Sequence, residues 1–201
     1  MLMEPQIFIA FIVFSISMTI TPGAGNLMLL GISNRYGFKA ALPFVTGTTL
    51  GVLFVFIGAS AGLYSLLLSR PELYIAVKYA GAAYLLYTAW GITKQEITES
   101  QETVSAIGMT SGILIQVLNP KAWIAAMTIF SQFTDATGDY VIQVSVLIFF
   151  FVLVTALCTL VWAYSGTILK HALKSTHQML IVNRFLGLTL AATVAYMLYQ
   201  S

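Results

Sequence analysis

Two short elements hold most of the polar chemistry that this chain places in apolar surroundings. The first is Thr21, Pro22, Gly23 and Asn26, within the run TITPGAGNLMLL at 19–30. The second is Gln116, Asn119, Pro120 and Lys121, in and beside LNPKAW at 118–123. Each proline removes a backbone donor and frees a carbonyl about one turn earlier. Thr, Asn and Gln side chains both donate and accept hydrogen bonds, which suits a zwitterion or another polar small molecule. Lys121 supplies a fixed charge that can hold a carboxylate or sense a membrane potential. The bland alternatives are packing kinks, interhelical hydrogen bonds worth about 0.6 kcal/mol each, and a lysine that snorkels to an interface. Adjacency to the breaks favours function for the asparagines, and midspan depth favours it for Lys121. For Thr21 and Gln116 the two readings stand level.

The elements that must position these residues lie in lipid. The chain has 201 residues, 59% of them hydrophobic and 8% charged. A soluble domain carries roughly 25% charged residues. Six apolar stretches, near 6–32, 40–68, 72–93, 108–133, 140–167 and 184–200, are long enough to cross a bilayer, which takes about 20 residues. Backbone groups in lipid must be satisfied internally, by helices or a closed barrel. These runs do not alternate as barrel strands do. The fold class expected is therefore all-α integral membrane, a single domain over 1–201. The first stretch lacks a basic start and a small-residue cleavage pattern, so it reads as a retained span. Lys121 then lies about 18 Å along the fourth span from residue 109, at a cost of roughly 2.5–3.5 kcal/mol. Lys78 is nearer a span end, where snorkelling is the better reading.

Basic residues are unevenly placed. Arg35 and Lys39, then Lys94, then Lys170, Lys174 and Arg184 fall in the odd-numbered loops, six of the nine in the chain. The positive-inside rule puts those loops in the cytoplasm and both termini outside. The weak sixth stretch is the main topological risk.

The polar linker 94–107 divides the chain into repeat one, 5–93, and repeat two, 108–201. Each repeat places a proline deep in its first span, Pro22 and Pro120. The third spans also align, KYAGAAYLLY at 78–87 with RFLGLTLAAT at 184–193. Three spans per repeat is an odd number, so the second copy enters the membrane in the opposite sense. Paired Gly/Pro interruptions in inverted repeats point to a substrate site near the midplane.

Several classes fade. No Asp or Glu lies in the interior of an apolar stretch, which removes a buried carboxylate relay and the hard anionic ligands a metal cation needs. His171 and His177 fall in one loop and read as solvated. Cys158 is the only cysteine, which excludes a two-thiol relay, and it reads as a packing residue. No enzyme chemistry, metal or cofactor is expected. Gly47 and Gly51 let helices approach closely, with an oligomer contact as second choice. Tyr84, Tyr87, Trp90, Trp162 and Tyr164 read as an interfacial belt or packing.

TPGAGNLMLL, GFKAALPFVTGTTLG, KYAGAAYLLYTAWGI and LNPKAW, in that order, resemble the LysE/RhtB family of bacterial amino-acid exporters. The resemblance implies six transmembrane helices as two inverted three-helix repeats, a bacterial inner membrane location, efflux of amino acids or close derivatives, and a homodimer. Its nearest branch exports cysteine, O-acetylserine or small neutral amino acids. Family members often read T-P-G-P-N-N; here Ala24 and Gly25 replace the second proline and first asparagine.

The mechanism expected is alternating access with substrate–proton antiport, the proton carrier not being identifiable from the residues. The substrate's carboxylate would meet Lys121 and exposed N–H groups. Its ammonium would meet freed carbonyls near Pro22 and the Asn26 side chain. The alternatives are a cation exporter on the same scaffold, a thiol-reductant conductor and a non-transporting assembly factor.

Overall fold

The computed structural model describes residues 4–62, 108–134, 139–172 and 176–199, with isolated helical positions between 69 and 90. The described elements are all helices: α1 (Pro5–Ile20), α2 (Ala24–Tyr36), α3 (Phe38–Ser60), α4 (Met109–Val117), α5 (Pro120–Phe133), α6 (Tyr140–Ala172) and α7 (Thr176–Tyr199). Lys78, Tyr84, Lys174, the linker 94–107 and most of the third apolar stretch lie outside the described residues.

α3 and α6 are each long and apolar enough to cross a membrane. α1 with α2, and α4 with α5, pass the same test as pairs, bent by 56° and 62° at their breaks. Among the described residues that makes two clear spans, or up to four if each bent pair is one. The prolines act as expected. Pro22 falls in the break after α1, and Pro120 opens α5, where its missing N–H costs nothing. Pro43 sits inside α3 without interrupting it, so proline alone does not make a break.

The boundaries after residue 140 differ from the sequence reading. α6 runs for 33 residues, about 50 Å at 1.5 Å per residue, longer than the ~30 Å hydrocarbon core. Lys170 and His171 sit in its last turn rather than in a loop. α7 begins at Thr176, so His177 and Arg184 are helical too. The apolar pattern located the lipid-facing portion, but a helix continues past it wherever its backbone bonds remain good.

Two apolar clusters hold the bundle, one on either side of the breaks. The first joins Met28, Leu29 and Ile32 of α2 to Phe44 of α3 and Ala163 of α6. The second joins Phe11 of α1, Phe56 of α3, Ile129 and Phe130 of α5, and Phe151 of α6. Phe56 stacks on Phe151 at 4.4 Å between ring centres and meets Phe130 edge-on at 5.7 Å. A band of buried polar residues lies between the clusters: Asn26, Thr48, Asn119, Thr155 and Thr159.

Lipid tails are as apolar as leucine, so helix association rests on close packing rather than on escape from solvent. Glycines provide that approach. A β-carbon on Gly47 would overlap the Met109 carbonyl, and one on Gly51 would lie 2.8 Å from the Ile113 carbonyl oxygen. On the facing helix, one on Gly112 would lie 2.5 Å from the Phe44 carbonyl oxygen. The Gly47–Gly51 motif is therefore spent on α4 of the same chain, not on a second copy. Gly166 of α6 does the same for α2, where a β-carbon would meet the Leu30 carbonyl oxygen at 2.5 Å. Each bent pair thus packs against a straight span from the other half of the chain.

Gly47→Ala pushes backbone against backbone, and overpacking of this kind costs about 1–3 kcal/mol. Its unfolding midpoint in detergent is expected to fall well below that of Thr46→Ala, on the exposed side of the same helix. Equal midpoints would remove the seam.

Candidate functional site

A helix that ends in hydrocarbon leaves its last four carbonyls without intrahelical partners. At the end of α1 side chains supply them. The Thr21 hydroxyl donates to the Ser17 and Met18 carbonyls at 2.9 and 3.1 Å. The Asn26 amide donates to the carbonyls of Thr19 and Thr21 at 2.8 and 2.9 Å. The Trp162 indole N–H donates to the Ile20 carbonyl at 3.2 Å. This bears on two expectations. The Met18, Thr19, Ile20 and Thr21 carbonyls each carry a side-chain donor and keep a lone pair, so an ammonium group would share them with that donor. Trp162 is tied to the first break and is not simply a belt residue.

The two helix starts beyond the breaks differ. At α5, Asn119 accepts from the Lys121 backbone N–H at 3.1 Å, and the Ala122 N–H reaches the Asn119 carbonyl at 3.0 Å. With Pro120 lacking an N–H, that end is closed. Gln116 braces it, accepting from the Asn119 amide at 3.4 Å. At α2 the capping residue is Gly23, and no side chain caps the helix. Its first backbone bond runs from the Leu27 N–H to the Gly23 carbonyl. The N–H groups of Ala24, Gly25 and Asn26 therefore project from a helix end that carries about half a positive charge.

The two breaks meet. Lys121 reaches across a hundred residues of sequence and donates from Nζ to the Thr21 hydroxyl oxygen at 2.8 Å. It is half-buried and turned toward the other break, not stretched along its own helix. A β-carbon on Gly23 would sit 3.7 Å from that Nζ, so glycine keeps the space between lysine and helix end clear. Thr21, Gly23, Asn26, Gln116, Asn119 and Lys121 all line one cavity of about 60 Å³.

Pro22 and Pro120 are exposed and line none of it. Their part in the breaks is through the N–H they lack, and their neighbours face inward. Sequence reading missed the far wall, which is Val52 of α3 with Phe151, Thr155 and Thr159 of α6. The i, i+4 spacing of the two threonines inside an apolar helix was the available signal. It also missed Thr19, whose hydroxyl contacts Cys158 Sγ at 3.1 Å. The lone cysteine, buried as expected of a packing residue, thereby adjoins the first break.

Residues 16–201 match the family described as LysE type translocator. The chain belongs to the LysE family. A translocator of this family is a transporter and not an enzyme. Among its relatives is a cysteine/O-acetylserine efflux protein of Klebsiella pneumoniae, 26% identical over 197 residues that cover 96% of each chain. The protein of that description in Escherichia coli strain K12 is 25% identical over 198 residues, again 96% of each. The one in Salmonella choleraesuis is 26% identical over 176 residues, 86% of this chain and 88% of the relative. No solved structure matches. The family, its bacterial setting and the apolar helices together place this translocator in a membrane as a multi-pass protein.

Asn26→Leu orphans two carbonyls at the end of α1, and a buried unsatisfied group costs about 1–3 kcal/mol. The variant is expected to unfold earlier in detergent than Trp162→Phe, which frees one. A thermal unfolding series checks the order.

Proposed function

We propose that this chain exports a small neutral amino acid, or a close derivative of one, from the cytoplasm, and that the cavity between the breaks is its binding site. The observation that carries the reading is the Lys121 ammonium held on Thr21 beside the uncapped start of α2. A carboxylate suits that place. A helix N-terminus attracts anions, and a lysine in hydrocarbon that has no carboxylate partner among the described residues gains a counter-charge when one arrives. In some transporters, half-helix N-termini point at the carboxylate of the substrate in this way. The cavity's size matches a molecule of few heavy atoms. The relatives' description as cysteine/O-acetylserine efflux proteins agrees with that charge.

The transport cycle is alternating access. The chain is two inverted three-helix repeats that form six spans, with both termini outside. One broken span comes from each repeat, and each broken span packs on a straight helix of the other repeat. Substrate enters from the cytoplasm, displaces the Lys121–Thr21 contact and bridges the breaks. Rocking of one repeat against the other then opens the outer side, driven by protons moving inward. The working unit is a homodimer in the bacterial inner membrane.

In inside-out vesicles, export is read as uptake of labelled O-acetyl-L-serine. Lys121→Ala is expected to raise KM at least tenfold, about 1.4 kcal/mol of lost binding. Gly23→Val, which fills the carboxylate space with lysine intact, is expected to do the same. Wild-type uptake in both variants would remove the carboxylate site. A protonophore is expected to abolish concentrative uptake but not equilibration; unchanged accumulation would remove proton coupling. A resistance screen with toxic amino acids and dipeptides identifies the substrate independently.

A further inference from the structure

The cavity has a donor side and an acceptor side, and only the donor side has been given a role. Thr155 and Thr159 stand one turn apart on α6, 3% and 2% exposed, and both line the cavity. A threonine hydroxyl has one hydrogen to donate and two lone pairs to accept with. Both hydrogens are spent within the helix. Thr155 donates to the Phe151 carbonyl at 2.8 Å, and Thr159 to the Thr155 carbonyl at 2.8 Å. What each oxygen has left to offer a ligand is acceptance. Asn26 is in the same position: its amide hydrogens hold Thr19 and Thr21, and its Oδ1 is the atom left to accept.

A zwitterion's ammonium must be kept from Lys121 and from the positive end of α2, since like charges repel strongly where water is scarce. Among the described residues no carboxylate lines the cavity to hold it. We propose that Thr155 and Thr159 form the subsite for the substrate's ammonium group, with Asn26 Oδ1 as a third acceptor. The substrate then lies with its carboxylate toward the breaks and its ammonium toward α6. Val52, Ala122 and Ala125 are left to face the side chain. Neutral acceptors bind an ammonium group without a titratable partner, so the site selects zwitterions over simple carboxylates by hydrogen bonding alone.

This inference rests on the cavity being the substrate site, and the experiment separates the two. Uptake of labelled O-acetyl-L-serine is measured in inside-out vesicles for Thr155→Val, Thr159→Val, Thr155→Ser and Lys121→Ala. Inhibition by 3-acetoxypropionate, the same skeleton without the ammonium group, is measured alongside. The valine variants are expected to raise KM at least tenfold and to leave the weak inhibition by 3-acetoxypropionate unchanged. Thr155→Ser, which keeps the oxygen, is expected to stay within twofold of wild type. Wild-type KM in both valine variants while Lys121→Ala fails would overturn the ammonium subsite and spare the cavity. Equal loss of zwitterion and desamino analogue would also overturn it, by showing a structural role. Wild-type KM in all four variants would take the cavity and this inference together. If either valine variant is not monodisperse in detergent, the other and Thr155→Ser decide.

Discussion

Hydrocarbon contains no hydrogen-bond partner, so a helix that breaks inside it must find one for every backbone group it releases. The rest of this structure follows from that demand being made twice. The end of α1 gives up carbonyls, and Thr21, Asn26 and Trp162 cover them. The start of α5 needs cover for its N–H groups, and Asn119 provides it. Those polar side chains cannot face lipid, so the two breaks turn inward. The start of α2 is the exception. It is left uncapped beside Lys121, and that asymmetry turns a pair of kinks into a polarised cavity.

Packing serves the same end. Phe11, Phe56, Phe130 and Phe151 fill one side of the polar band, and Met28, Leu29, Ile32 and Phe44 fill the other. Glycine seams bring α3 onto α4 and α6 onto α2 until backbones touch. Apolar contact gains little in lipid, so these seams, with their many short contacts, do the holding. They also fix the wall that α6 presents to the cavity. One turn further along, Ala163 packs in the cluster with Met28, Leu29 and Ile32 of α2 instead.

Much of this was legible from composition and spacing. The scarcity of charge required a membrane, and the prolines at 22 and 120 marked the breaks to within a residue. Lys121 stood out because its position in an apolar run is costly. The TPGAGN and NPKAW elements carried the family likeness that the comparison then bore out. What was not legible was direction. Proline says that a carbonyl is freed, but not whether a side chain already covers it. The prolines themselves were read as lining, and they are exposed. Trp162 was read as an interfacial aromatic because its partner, the Ile20 carbonyl, lies 142 positions away.

Residue type and period therefore settled the solvent, the helical class and the places where two helices break, because those depend on each segment's own contact with lipid. Which group answers which depends on contacts between segments that are distant along the chain. Lys121 with Thr21, Asn26 with the end of α1, and the α6 threonines opposite the breaks are all of that kind. A single polar residue in an apolar run carries no label for its partner. The approach of the helices, set by where a β-carbon is absent, supplies that label.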